Sequence, residues 1–237
     1  MNNLRTTTLK NIDANDYENI YIATDIHGEI GILKSALKEV GFNNKDLLII
    51  AGDLIDRGSD SIEAIEFVLE SDNVEANLGN HEALAILCLV HGIENERETW
   101  MMSGGDWIHN YEDEIPRLKA LFERVENEFP LCFELKFLDK KVLIAHAAIP
   151  GYSYDTMIAD RNPAANKLWL LSKHEDLEEQ DHIIRNQEDY LDDLDLLDVK
   201  PVSGADLTIH GHTSTLKPMM INNRLYIDTR VAKDAGM

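Results

Sequence analysis

Five short clusters of Asp, Asn and His residues contain the groups in this sequence that could do chemistry. The clusters are Asp25-Ile-His27-Gly, Gly-Asp53-Leu-Ile-Asp56-Arg57-Gly, Gly-Asn80-His81-Glu, the single His146, and Gly-His212-Thr. Their carboxylate, imidazole and amide donors suit Mn²⁺, Fe or Zn²⁺, and the lack of a thiolate argues against a structural zinc site of the cysteine type. One such cluster would be weak evidence, but the five together predict a metal site.

The candidate ligands are more numerous than a single ion needs. Two ions that share a carboxylate at about 3.5–4 Å form the arrangement used in phosphoester hydrolysis, because both can hold phosphate oxygens and acidify a bridging water. Asp53 is the central carboxylate of the set and is predicted to be the bridge. The donor set therefore predicts a dimetal site for phosphoryl chemistry.

Each of the first three clusters directly follows a short apolar run that is predicted to be a strand. These runs cover residues 20–23, 47–51 and 74–78, and helical patterns follow them at 30–40, from Ile62 and from Leu84. Strands that alternate with helices predict an α/β sheet with helices on its faces, and ligands of such sheets bind beyond the carboxyl ends of the strands. The polar clusters fall at those ends.

The second half of the chain is predicted to add strands that present the last two clusters. Strands at 131–135 and 142–145 form a hairpin around Asp139 that leads into His146, and a strand at 206–209 leads into His210-Gly211-His212. The remaining predicted elements are helices within 94–129 and at 164–171, and a hairpin of 219–221 with 225–227 around Asn222-Asn223.

An acidic stretch at residues 175–198 interleaves leucines and isoleucines with carboxylates. It is interpreted either as a solvated amphipathic surface or as a lid beside the active site. Because no repeat, low-complexity tract or linker divides the chain, residues 1–237 are predicted to form one domain.

Composition excludes several classes of function. The chain has 237 residues with 44% hydrophobic content, enough for a full core, and 44 acidic against 22 basic residues give a formal charge of −22. Such a charge disfavours nucleic acid and anionic membrane as partners. No run approaches the about 18 apolar residues of a membrane helix, and residues 1–10 lack the apolar core of a secretory signal. We therefore expect a cytoplasmic protein, with Cys88 and Cys132 as buried thiols in a reducing compartment.

The first three clusters resemble, nearly letter for letter, the signature motifs of the calcineurin-like metallophosphoesterases, and more narrowly of the phosphoprotein phosphatases. Further stretches are similar to the branch of lambda-type and bacterial serine/threonine protein phosphatases: Trp100-Met-Met-Ser-Gly-Gly-Asp-Trp107, Val142-Leu-Ile-Ala-His146-Ala, Gly211-His212-Thr, Lys217-Pro218 and Tyr226-Ile-Asp-Thr229. The resemblance spans residues 21–229. It implies an α/β fold with a central β-sandwich flanked by helices and a dimetal site at the carboxyl ends of the strands.

The resemblance also implies a role for each metal ligand. Asp25 and His27 would hold the first ion and Asp53 would bridge the two ions. The ligands of the second ion would be Asn80, His146 and His212. The two divalent ions are predicted to be Mn²⁺, with Fe and Zn²⁺ also compatible with these donors.

The same resemblance implies three catalytic residues. His81 would be the general acid that protonates the leaving oxygen, Asp56 would orient its ring, and Arg57 would bind the phosphate. A metal-bound hydroxide would attack phosphorus in line, so no covalent phosphoenzyme is expected.

The chain departs from the family at one phosphate-binding position. Lambda-type enzymes carry a second arginine two residues after a tryptophan, and here Leu171 stands two residues after Trp169. Four basic residues are candidates to replace it, and the sequence does not select among them: Arg161, Lys173, Arg185 and Arg230.

The remaining histidines are expected not to bind metal. His91, His109, His174 and His182 fall outside the motifs, and His210 is predicted to pack or hydrogen bond behind the ligands. In related enzymes with Gly-His-x-His the second histidine binds the first ion; Ser214 takes that position here, which favours the phosphoprotein phosphatase branch.

These observations predict a phosphomonoester hydrolase that acts on phosphoserine or phosphothreonine in proteins. The main alternative is a nucleotide phosphoesterase of the symmetrical diadenosine tetraphosphatase type, which typically carries other residues at the positions of Asp56 and Glu82. A non-catalytic metal-binding scaffold is a third hypothesis, although every ligand and the acid are present. The predicted partner is a phosphorylated protein or peptide with basic flanks, since an acidic surface repels acidic ones.

Overall fold

The fold is described from a computed structural model in which residues 4–159, 161–172, 200–215 and 217–229 are placed. The acidic stretch at 175–198 lies outside the described residues. Nine strands are present in the described part of the chain: β1 Leu9–Asp13, β2 Ile20–Ala23, β3 Leu47–Ile50, β4 Val74–Ala76, β5 Cys132–Phe137, β6 Lys140–Ala145, β7 Leu207–His210, β8 Met219–Ile221 and β9 Arg224–Tyr226.

Helices connect most of these strands. The α-helices are α1 Ile30–Val40, α2 Ser61–Glu70, α3 Asn80–Leu89, α4 Arg97–Met102, α5 Ile115–Glu128, α6 Tyr154–Ala159 and α7 Pro163–Ser172. Short 3-10 helices cover Ala14–Asp16, Glu94–Glu96, Gly105–Glu114 and Pro150–Tyr152. None of the described helices is both long and apolar enough to cross a membrane.

The strands form two sheets. Three parallel strands make the smaller sheet in the order β2-β3-β4, with Ile22 opposite Ile49 and Ile49 opposite Glu75. Six strands make the larger sheet in the order β1-β5-β6-β7-β9-β8. Its antiparallel pairs are the two predicted hairpins, β5 with β6 and β8 with β9, while the other pairs are parallel. Both hairpin predictions are confirmed.

The core explains why β3 is apolar at every position. Leu47 and Ile49 belong to a buried cluster with Phe133 and Ile144 of the larger sheet, so this cluster joins the two sheets. The alternate residues of β3, Leu48 and Ile50, belong to a second cluster with residues of α1, α2 and α3. A strand that is covered on both faces needs apolar side chains throughout. The predicted sandwich with flanking helices is therefore confirmed.

The first strand was not predicted. In β1 only Ile12 is buried, and the other residues are exposed or half-buried polar and aliphatic side chains, as expected at a sheet edge. Its partner β5 lies more than a hundred residues away, with Leu9 opposite Cys132. Because neither alternation nor a local turn marks this strand, the sequence pattern gave no signal for it.

Candidate metal centre

The loops after β2 and β3 hold their polar residues in an unusual backbone conformation. In the described part of the chain, nine non-glycine residues have positive φ, and six of them come from the predicted site. These six are Asp25, His27, Asp53, Asp56, Arg57 and His212. Positive φ is costly for residues with a Cβ and persists where surrounding structure enforces it, often at functional sites.

Backbone hydrogen bonds join these two loops side by side. The N–H of Asp25 donates to Gly52 O at 3.1 Å, and the N–H of His27 donates to Asp53 O at 2.9 Å. The N–H of Gly28 donates to Leu54 O at 2.7 Å. These bonds extend the parallel pairing of β2 and β3 beyond the strand ends, and they bring the first two clusters together.

Glu82, on α3, anchors the loop after β3. Its buried carboxylate accepts the backbone N–H groups of Asp53 at 2.9 Å, Leu54 at 2.8 Å, Ile55 at 3.2 Å and Gly79 at 2.9 Å. Burial raises the pKa of Glu82 to about 7. In the sequence Glu82 is marked only as a residue at which two branches of a family differ. Its anchoring role was not predicted, although Glu three residues into a helix is a known capping signal.

Asp53 packs directly against the start of α3. A Cβ at Gly79 would lie 2.1 Å from Asp53 Oδ1, so only glycine fits there. The N–H of His81 donates to the same oxygen at 3.2 Å. A helix N-terminus favours a negative charge, so α3 helps to keep Asp53 ionised.

Two groups of metal-ligating atoms lie in the centre of the site and share Asp53. His27, Asp53 and His81 form one group; Asp53, His146 and His212 form the other, with all ligand atoms of a group within 4.8 Å of one another. Asp53 Oδ2 lies 3.8 Å from His27 Nε2, 3.7 Å from His81 Nε2 and 3.3 Å from His146 Nε2. The shared carboxylate is where a bridging ligand is expected.

The other two predicted ligands lie at the margins of these groups. Asp25 Oδ1 is 3.9 Å from His27 Nε2, and Asn80 Oδ1 is 3.0 Å from His146 Nε2. Asp25 Oδ2 also accepts the N–H of His212 at 3.0 Å. The structure thus brings all six predicted ligands together, although His81 rather than Asp25 completes the first compact group.

The orientation of the imidazole rings tests whether these residues fit metal ions. His27 Nδ1 lies 2.9 Å from Ile55 O, and His146 Nδ1 lies 2.9 Å from Ala51 O. A carbonyl at Nδ1 requires a proton there, which leaves Nε2 as the ligand atom facing Asp53. Imidazole, carboxylate and amide donors aimed at one another, most of them buried, fit divalent ions of intermediate softness.

Burial and charged neighbours shift the pKa values of the same residues in opposite directions. Burial alone would raise the pKa of Asp53, but His146, His81 and His27 outweigh it and hold that pKa well below its usual range. Burial raises the pKa of Asp25 to about 7 and lowers the pKa of His27 to about 4. The Asp53 and Asp25 carboxylates overcome burial at His146 and raise its pKa to about 10. Such opposed shifts are typical of a site built for a cation or for proton transfer.

His81 lies against Asp56, and the guanidinium of Arg57 lies against both His27 and His81. His81 Nδ1 lies 2.6 Å from Asp56 Oδ2, and both side chains are buried. Burial opposes protonation of His81, but Asp53 and Asp56 raise its pKa above the ordinary value. The exposed Arg57 contacts His27 Nε2 at 2.7 Å through Nη1 and His81 Nε2 at 3.1 Å through Nη2.

Asp56 has two further hydrogen-bond partners that were not predicted from the sequence. The indole Nε1 of Trp100 lies 3.2 Å from both Asp56 oxygens, and the indole Nε1 of Trp107 lies 2.7 Å from Oδ1. In the sequence the two tryptophans bound a stretch that resembles the lambda-type branch, and no role was predicted for their indole groups. Because both tryptophans lie more than 40 residues from Asp56 in the sequence, no local pattern indicates these hydrogen bonds.

Histidines outside the motifs lie elsewhere, as predicted, where the structure describes them. His91 Nε2 pairs with Glu126 Oε1 at 2.7 Å, and the exposed His109 faces Glu112 at 3.5 Å. His210 is buried between Ala145 O at 3.2 Å and Thr208 Oγ1 at 2.7 Å, and burial lowers its pKa to about 3. His174 and His182 lie outside the described residues.

The residue at the position of the family's second phosphate-binding arginine cannot bind phosphate here. Leu171 is fully buried in the cluster that packs helices on the sheets. Of the four candidate basic residues, Arg161 is exposed after α6, and Lys173, Arg185 and Arg230 lie outside the described residues.

Comparisons with known proteins show what this chain is similar to. A family model described as calcineurin-like phosphoesterase matches residues 18–215. Serine/threonine-protein phosphatase 2 of Escherichia coli (strain K12) is 30% identical over 224 residues, which are 94% of this chain and 92% of that protein. A symmetrical bis(5'-nucleosyl)-tetraphosphatase of Buchnera aphidicola subsp. Baizongia pistaciae is 33% identical over 136 residues, which are 56% of this chain and 44% of that protein.

The fold also matches a solved structure. The crystal structure of a putative diadenosine tetraphosphatase superposes with a TM-score of 0.58 at 17% identity, covering 96% of this chain and 90% of that one. At this identity the likeness concerns the fold alone.

Proposed function

The chain belongs to the calcineurin-like phosphoesterase family and is thus a metal-dependent hydrolase of phosphate esters, and from this premise we propose that it is a serine/threonine protein phosphatase. The observation that carries the proposal is the buried pair of His81 and Asp56, 2.6 Å apart beside the candidate metal ligands. An oriented imidazole with a raised pKa is suited to protonate the alkoxide that leaves a phosphoserine or phosphothreonine.

Six residues would hold two divalent ions, which we propose to be Mn²⁺. They are Asp25 and His27 for one ion, Asn80, His146 and His212 for the other, and Asp53 for both. When bound, such ions hold phosphate oxygens and acidify a water nucleophile.

The chain's own residues would then position and protonate the substrate. Arg57, which reaches the site from an exposed position, would donate two N–H groups to phosphate oxygens. Protonated His81 would give the proton on Nε2 to the leaving oxygen and keep the proton on Nδ1 that faces Asp56. His81 ends the step neutral and remains hydrogen-bonded to Asp56 through Nδ1.

The extent of the sequence likeness supports a protein substrate over a dinucleotide. The E. coli serine/threonine-protein phosphatase 2 is matched over nearly its whole length, whereas the Buchnera tetraphosphatase is matched over less than half of its length. Asp56 and Glu82, both buried in the site, are also residues at which tetraphosphatases typically differ.

The charge of the chain indicates which phosphosites are preferred. With a formal charge of −22, the protein repels acidic sequences and attracts basic ones at low ionic strength. We propose that phosphosites flanked by Lys or Arg are the better substrates.

The test is hydrolysis by metal-stripped protein with Mn²⁺ added back. A phosphoserine peptide and diadenosine tetraphosphate are offered separately to the unmodified protein and to His81→Asn, with His109→Asn as the matched control. The proposal expects peptide hydrolysis that requires Mn²⁺, falls by about 100-fold or more in His81→Asn, and persists in His109→Asn.

Two outcomes would overturn it. Hydrolysis of the dinucleotide alone would move the function to a nucleotide phosphoesterase, which the matches to tetraphosphatases make the second candidate. Binding of two ions without hydrolysis of either substrate would favour a non-catalytic scaffold.

A further inference from the structure

Asp56 lies at the centre of a hydrogen-bond network that reaches beyond the predicted site. Its carboxylate is fully buried. Oδ2 lies 2.6 Å from His81 Nδ1, and Oδ1 accepts a hydrogen bond from Trp107 Nε1 at 2.7 Å. Trp100 Nε1 lies 3.2 Å from each of the two oxygens. The backbone N–H of Asp56 donates to Ser61 Oγ at 3.0 Å, which fixes the main chain as well.

We propose that Trp100 and Trp107 are positioning residues that act through Asp56 to aim His81 at the leaving oxygen. This inference rests on the proposed function, because it takes His81 to be the general acid. It goes further by assigning the two indoles a catalytic effect beyond the packing of the core.

The chemistry of the indole group suits this task. An indole N–H is a donor only and does not titrate, so it can satisfy a buried carboxylate without competing for the proton that moves. A carboxylate buried without donors would be strongly penalised. With Oδ1 held by Trp107, Oδ2 is left facing His81, and the plane of the carboxylate is fixed in the orientation that holds the imidazole ring.

The surrounding elements are shaped to admit these indoles. Trp100 is in α4, and Trp107 is in the following 3-10 helix, with the ring centroids 6.1 Å apart in an edge-to-face contact. Between them, Gly105 leaves room for the ring, because a Cβ there would lie 2.5 Å from Trp100 Nε1. A Trp100 that served only the core would not need its polar edge directed at Asp56.

The kinetic test uses the dependence on the leaving group. The variants Trp100→Phe and Trp107→Phe keep an aromatic ring and lose the N–H. Hydrolysis of a phosphoserine peptide, whose alkoxide needs protonation, should fall by about 10–100-fold in kcat with little change in KM. Hydrolysis of 2,4-dinitrophenyl phosphate, whose leaving group needs no acid, should change by less than about threefold.

The third tryptophan supplies the matched control. Trp169 in α7 packs its ring against Tyr152, with centroids 5.1 Å apart. Trp169→Phe should leave the ratio of the two activities unchanged. Equal losses on both substrates in the Trp100 and Trp107 variants would mean a merely structural role and would overturn the inference.

His81→Asn separates this inference from the proposed function. If His81→Asn loses no more activity on the peptide than on the aryl ester, the general-acid role itself fails. If His81→Asn shows the selective loss and the tryptophan variants do not, only the inference fails. If both hold, the double variant Trp107→Phe/His81→Asn should be no slower on the peptide than His81→Asn alone, because the two changes remove one function.

A measurement without turnover tests the same network. In ¹H–¹⁵N spectra of metal-free protein, Asp56→Asn should shift the indole signals of Trp100 and Trp107 and speed their exchange with solvent. The Trp169 signal should stay in place. Unchanged Trp100 and Trp107 signals in Asp56→Asn would overturn the inference.

Should Trp100→Phe fail to fold, Gly105→Ala moves the indole without removing it and should produce the same selective loss of activity on the peptide.

Discussion

At the scale of single residues, the site is built from side chains held very close to one another. Asp53 Oδ1 approaches the backbone of Gly79 so closely that no side chain fits there, and Asp53 Oδ2 faces three imidazoles. Small displacements of Asp53 should therefore disturb both groups of candidate metal ligands at once.

Gly79→Ala tests this closeness. The new methyl group must displace the Asp53 carboxylate, so we expect Mn²⁺ affinity to fall by about 10-fold or more, measured by titration calorimetry. Gly31→Ala is the matched control, because Gly31 is in α1 and nothing lies within 4 Å of a Cβ there. Its metal affinity should be unchanged and its stability equal or slightly higher. Unaltered metal affinity in Gly79→Ala would contradict the placement of Asp53.

The two cysteines give a second prediction at this scale. Burial raises the pKa of Cys88 to about 11 and raises the pKa of the fully buried Cys132 as well. The reactive form is the thiolate, so at pH 8 only about one Cys88 side chain in 1,000 is reactive. A colorimetric disulfide reagent should modify neither thiol quickly in the native protein and both in urea, and the slow Cys88 rate should rise as the pH approaches 11. Fast native modification of either thiol at pH 8 would contradict this.

At the scale of elements, one side chain joins the loop after β3 to the start of α3. Glu82 accepts four backbone N–H groups, so Glu82→Gln would direct an amide NH₂ at some of those donors. We expect a loss of about 1–3 kcal/mol in the free energy of unfolding, measured by urea denaturation. Glu63→Gln, which changes an exposed carboxylate paired with Lys34, should change stability by less than about 0.5 kcal/mol. Equal stability of the two variants would argue against the anchoring role.

How much could be predicted also differs by element. The bounds of β2 and α1 follow from local apolar periodicity and agree with the structure, and both hairpins follow from turn residues between apolar runs. β1 was missed because its pattern is polar and its partner is distant. The bonds from Trp100 and Trp107 to Asp56 span 44 and 51 residues, so no spacing rule reveals them. The clusters of ligands could be found because each lies in one short loop after a strand.

At the scale of the whole molecule, charge gives a further prediction. The formal charge of −22 should lower KM for a phosphopeptide with basic flanks relative to one with acidic flanks. Salt shortens the Debye length from about 10 Å at 0.1 M to about 3 Å at 1 M, so the difference between the peptides should shrink as salt is added. Steady-state kinetics of both peptides over a series of salt concentrations measures this difference in KM. Faster hydrolysis of the acidic peptide at low salt would contradict the preference.

The central proposal is hydrolysis at a site that holds two metal ions through Asp53. Its most direct test is a count of the Mn²⁺ ions bound per chain. Equilibrium dialysis followed by elemental analysis should find two ions in the unmodified protein, with phosphoserine-peptide hydrolysis by the same samples. Asp53→Asn should lose tight binding of both ions together with hydrolysis, because one carboxylate serves both groups of ligands. A single ion in the active unmodified protein, or two ions and full hydrolysis in Asp53→Asn, would contradict it.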